Sequence, residues 1–153
     1  MINKFHFLVL ARVLIGVLFI YSGFVKLIQP YENFLFVIQN YEILNEWIEV
    51  AVARFFPWME LFVGTFLLLG LWLKPALSVL WLMNTTFIIV VGQALVRRLP
   101  IDDCGCFGDW ISIPLKALLL MDLGIWILCA LMVIFIRHAT VLSLDRYFNP
   151  DFQ

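Results

Sequence analysis

FLVLARVLIGVLFIYSGFVKL (Phe7–Leu27) is an almost unbroken apolar run interrupted only by Arg12 and Lys26. A helix needs about 20 such residues to cross about 30 Å of hydrocarbon. The run is too long for the apolar core of a cleaved signal peptide. Its exit, SGFVKLIQP, also lacks a small-x-small cleavage site, so a retained span is expected. Composition extends this reading to the whole chain. The 153 residues are 64% hydrophobic and 14% charged, with a mean hydropathy of +1.01. A soluble domain carries about a quarter charged residues, so lipid must bathe much of this surface. The net charge of −1 excludes a nucleic-acid partner, which would demand a basic face.

Three further runs are long enough to cross, at about 55–73, 76–96 and 115–136. Lys74-Pro75 joins the second to the third, and so short a link forces an antiparallel pair. Residues 31–54 mix Phe34, Phe36, Ile38 and Trp47 with Glu32, Glu42, Glu46 and Glu49. This is the pattern of amphipathic helix lying in the interface. The fold expected is therefore an all-α membrane protein: a single domain over 1–153, built as an antiparallel bundle of four transmembrane helices. An interfacial amphipathic helix follows the first span, and a cysteine-bearing loop, 97–114, follows the third. Its oligomeric state, homo- or hetero-oligomer, is left open.

Four crossings place both termini and Lys74 on one side, A, and the 31–54 and 97–114 segments on the other, B. Lysine and arginine counts are balanced between the sides, so the positive-inside rule does not orient the bundle. Arg12, Gly16, Phe19, Gly23 and Lys26 recur at helical spacing on one face, and the two glycines there would let a neighbouring helix approach closely. At about 1.5 Å per residue, Lys26 and Glu60 sit at comparable depth near side B and can pair, with Gly64 one turn from Glu60. Gln93 and Asp122 lie within about two turns of the same end. A polar network that fixes helix register and a pocket for a headgroup or protons are both open readings. Arg12, far from Asp122, is expected to snorkel to side A. Asn84, Thr85 and Thr86 suit interhelical hydrogen bonding.

DDCGCFGDW (Asp102–Trp110) holds two of the three cysteines. Cys104 and Cys106 flank Gly105, whose freedom permits the bend that an i,i+2 disulfide requires. Such a small, strained ring would suit exchange chemistry. Paired thiolates also suit Zn(II) or Cu(I), but His6 and His138 both fall on side A, which removes a Cys2His2 site within one chain. A tight turn that merely contains thiols is the third reading. Cys129 lies about 20 Å from side B and reads as a small hydrophobe in packed helix. With a single dithiol, a relay needs a second electron station, either a quinone or a partner protein. A cycling disulfide is easiest to explain facing an oxidising compartment, which favours side B outside.

DCGCFG (Asp103–Gly108), the face from Arg12 through Gly23 to Lys26, and PWMELFVG (Pro57–Gly64) together resemble the MauE branch of the DoxX-like membrane proteins, over about Ala11–Leu131. The resemblance implies a four-helix bundle in a bacterial cytoplasmic membrane, where the redox argument for side B outside puts the cysteine loop in the periplasm. It also implies an association with methylamine utilisation and with maturation of a disulfide-rich enzyme subunit, alongside a thioredoxin-like partner. On that resemblance Cys104 and Cys106 become the candidate catalytic pair. Arg12, Lys26 and Glu60 fall on polar positions of the family, whose wider group includes a subunit of a quinone-reducing enzyme, and the pocket read from helix depth, at Lys26, Glu60 and Asp122, is the candidate site for a quinone or another polar headgroup. The alternative is a non-catalytic membrane subunit or assembly helper with structural or metal-holding cysteines.

Overall fold

The computed structural model describes residues 4–99, 114–136 and 143, with side chains from residue 7 onward. Five helices account for the described structure: α1 (Lys4–Ile28), α2 (Tyr31–Gln39), α3 (Glu46–Leu69), α4 (Leu73–Arg97) and α5 (Leu115–Ile134). Four of them, α1, α3, α4 and α5, are long and apolar enough to cross a membrane. The chain is thus an all-α membrane bundle, and no strand occurs among the described residues.

The surface carries the signature of a lipid solvent. On α1, Phe7, Leu10, Leu14, Val17, Tyr21, Phe24 and Ile28 are all exposed, and their alternating spacing of three and four traces one helical stripe. Water would penalise such a stripe, whereas acyl chains cover it at no cost. The opposite stripe, with Leu8, Ala11, Ile15, Ser22 and Lys26, is buried. There α1 packs against α3, the most extensive helix pair, and α4 packs chiefly against α5.

Three glycines set the α1–α3 approach. A β-carbon on Gly23 would stand 2.8 Å from the Pro57 carbonyl oxygen, and one on Gly64 would stand 2.8 Å from the Ile20 nitrogen. One on Gly16 would stand 3.0 Å from the Gly64 carbonyl oxygen and from the Leu68 nitrogen. Backbone touches backbone here, the route to affinity when hydrocarbon supplies no hydrophobic drive.

The second span starts earlier than residue 55. Helix α3 begins at Glu46, so residues 46–54 continue into the span, and only α2 stands apart as a separate short helix. Pro57 invites the later start because proline usually opens a helix. Inside a membrane bundle its missing N–H is tolerated within a continuing helix, and Pro57 is buried there. The α3–α4 link also precedes Lys74-Pro75. Gly70, at φ 66°, ends α3; Gly70 N–H donates to the Leu67 carbonyl and Leu71 N–H to the Phe66 carbonyl, a Schellman closure. Pro75 then falls in the first turn of α4.

Arg12 extends towards side A as expected but stops short of water, being only 2% exposed. Its Nη1 would stand 3.1 Å from a β-carbon on Gly70, in a setting that also includes Ser143. The guanidinium thus sits at the C-terminal turn of α3, where the helix dipole favours a cation.

Candidate functional site

The buried polar centre forms where the last turn of α1 meets α3. Lys26 Nζ donates to Glu60 Oε2 at 2.7 Å, Glu60 Oε1 at 2.9 Å and Ser22 Oγ at 2.8 Å. Ser22 Oγ in turn donates to Glu60 Oε1 at 3.3 Å. An ammonium has three protons, and all three are engaged inside the bundle. Phe34 and Phe56 complete the enclosure, with ring centroids 5.1 and 5.9 Å from Nζ, within cation–π range. Phe34 comes from α2, so the interfacial helix serves as a cap over the pair.

Glu60 lies about four turns into α3, which begins at Glu46 rather than near residue 55. The pairing with Lys26 holds regardless. It depends on which α3 residue lies level with the end of α1, and Gly23 in contact with Pro57 and Leu61 sets that level.

Asp122, two turns into α5, joins Glu60 around one small cavity that Ser22, Asn84 and a set of apolar side chains also line. Its volume, about 40 Å³, is enough for about three waters at roughly 10–15 Å³ each. Asn84 Nδ2 donates to the Asp122 backbone carbonyl at 3.0 Å. The Asp122 side chain is different: the residue is 7% exposed, yet its buried Oδ2 has no hydrogen-bond partner among the described residues, an uncommon state for a buried polar atom. Gln93 Oε1 is also buried without a partner, but Gln93 is not among the residues lining the Glu60–Asp122 cavity.

Asn84, expected from its sequence context only to hydrogen-bond between helices, also lines the cavity. It does tie α4 to α5, and so does Thr85, whose Oγ1 accepts from Trp126 Nε1 at 3.0 Å. Thr86 does not, since its hydroxyl donates to Leu82 of its own helix. Cys129 is fully buried in the core beside Leu67, Leu77 and Met132. The proposed redox pair, Cys104 and Cys106, lies outside the described residues together with the rest of DDCGCFGDW. That segment is strung between Leu99, just past α4, and Pro114, which caps α5. Both anchors stand at the end of the bundle where Lys26 meets Glu60.

A close-packed α1–α3 pair locking a buried lysine–glutamate bridge narrows the comparison with known proteins. The model of one family, described as methylamine utilisation protein MauE, matches residues 4–136. This chain belongs to the MauE family. The match spans all five helices, so MauE membership and the four membrane-spanning helices agree on a multi-pass membrane protein associated with methylamine utilisation. No curated relative and no solved structure matches the chain.

Proposed function

We propose that this MauE-family chain is a membrane thiol–disulfide relay that helps mature a disulfide-bearing partner. Cys104 and Cys106 exchange with a thioredoxin-like protein in the periplasm of a bacterium, from the outer face of its cytoplasmic membrane. In each cycle one thiolate and one disulfide sulfur form a mixed disulfide, and the neighbouring thiol resolves it. The partner's dithiol leaves oxidised and the Cys104–Cys106 pair is reduced. Re-oxidation releases two electrons and two protons, which a membrane quinone takes up to become a hydroquinone. The observation that carries this reading is the buried polar centre at the end of the bundle from which DCGCFG is strung. Ionisable side chains inside a membrane are costly and mark a functional site by default, and the cavity that Glu60 and Asp122 share is lined in part by α4 and α5, the two helices between which Cys104 and Cys106 lie in sequence.

Thiol trapping tests the relay. Acid quenching followed by alkylation is expected to show a Cys104–Cys106 disulfide that responds to the redox poise of the cell. Cys104→Ser or Cys106→Ser is expected to accumulate a mixed disulfide with the partner. Full partner oxidation in both single variants would sink the relay. The second reading, a non-catalytic assembly subunit, draws support from Lys26, whose protons are all used in structural bonds.

A further inference from the structure

Helix α3 packs far less against α4 than against α1. Between α3 and α4, beneath α2, lies an apolar chamber of about 420 Å³. Phe34 and Val37 of α2, Val52 and Phe56 of α3, and Phe87 and Val90 of α4 are among its walls. Tyr41 and Thr86 bring the only hydroxyls to its lining, and the Thr86 hydroxyl is spent on the Leu82 carbonyl. A buried water needs two to four polar partners, so the interior is a place for hydrocarbon.

The chamber is open on one flank. Ile43 and Leu44, which follow α2, and Ile89 of α4 belong to its walls and are exposed. In a spanning bundle that flank meets acyl chains rather than water. The depth agrees: on α4 the lining begins at Val90, about 10 Å inside the Arg97 end, and continues to Met83, about 10 Å deeper. A transmembrane partner is a poor fit, because a helix 10–12 Å across fills roughly this volume with a single turn.

The rim carries a cation. Arg97 Nη2 donates to Glu42 Oε2 at 2.8 Å, and Glu42 lies between the wall residues Tyr41 and Ile43. Arg97 is therefore held at the mouth of the chamber, with its side chain 43% exposed. A guanidinium has five N–H donors, and Glu42 accepts from one nitrogen, so the remainder of the fork faces outward for a phosphate.

We infer that the chamber holds one acyl chain of a membrane phospholipid whose phosphate rests against Arg97. The chain fills the gap between α3 and α4. Phe34 both lines the chamber and lies over Lys26, so the lipid also keeps α2 seated over the buried ion pair. This site is independent of the thiol relay.

The test uses the full chain in nanodiscs of palmitoyl-oleoyl phosphatidylglycerol, doped with the same lipid bearing a diazirine midway along one acyl chain. After irradiation, peptide mass spectrometry locates the insertions. They are expected to concentrate on Val37, Ile38, Ile89 and Val90, well above the yield at Leu120, which is 73% exposed on α5. Val90→Trp, which fills the chamber, is expected to abolish that excess, and Leu120→Trp to leave it unchanged. Arg97→Gln, which keeps a donor for Glu42 but loses the charge, is expected to reduce it. Native mass spectrometry of the unaltered chain is expected to retain one phospholipid per chain after the other lipids are stripped. Yields at the chamber no higher than at Leu120, an excess that survives Val90→Trp, or retention of no lipid would each overturn the inference. So would a dimer whose second copy shields Ile43 and Ile89.

Discussion

Lys26 illustrates how a membrane interior constrains a single side chain. Its charge is tolerated because a carboxylate, a hydroxyl and two aromatic rings surround it. Removing one member of a buried ion pair strands the other, at a typical cost of about 3–5 kcal/mol. Lys26→Met is therefore expected to lower unfolding stability in mixed micelles by about that amount. Lys26→Met/Glu60→Met is expected to recover much of the loss, because no charge is left stranded. A double variant no more stable than the single would show that the pair contributes through something other than mutual compensation. The pair was legible in the sequence because Lys26 and Glu60 are among few charges at comparable depth. The orphaned Asp122 oxygen was not, since no spacing rule reveals which polar atom lacks a partner.

Helix contacts explain why two glycine substitutions should diverge. Gly23→Val would push side-chain atoms into the Pro57 and Leu61 backbone. Helices α1 and α3 would have to separate, and with them the Lys26–Glu60 bridge. Gly124→Ala on α5 meets nothing within 4 Å and gains up to about 1 kcal/mol of helix propensity. Thermal unfolding in detergent is expected to show a large loss for Gly23→Val and none for Gly124→Ala. A second element-scale test concerns Arg98, which ends α4 at φ 53°, a conformation costly for a side chain but not for glycine. Arg98→Gly is expected to raise the unfolding temperature slightly, by relief of about 1–2 kcal/mol. At this scale the sequence reading placed the spans and misplaced the start of the second, because Pro57 and the charges of residues 46–54 imitate a boundary.

For the whole molecule, four crossings fix relative sidedness. Trp47, 90% exposed at the start of α3, and Trp72, 71% exposed at the start of α4, mark opposite ends of the bundle. In a background without native cysteines, Trp47→Cys and Trp72→Cys are expected to react with a membrane-impermeant maleimide from opposite faces. With the cysteine loop in the periplasm, Trp47→Cys labels in intact cells whose outer membrane is permeabilised, and Trp72→Cys labels only after lysis. Labelling of both from one face would contradict the four-span topology. The reverse pattern would keep that topology and place the loop in the cytoplasm.

Composition and the length of apolar runs determined that this chain is a four-span helical membrane protein, because the bilayer sets both requirements independently of sequence detail. The helical spacing of Arg12, Gly16, Gly23 and Lys26 determined which stripe of α1 turns inward. Only the tertiary structure decided where Arg12 rests, that α2 caps the lysine, and that Glu60 and Asp122 meet around one small cavity. Those outcomes depend on the depth and rotation of one helix against another, and in helices apolar on every side the sequence pattern does not encode either.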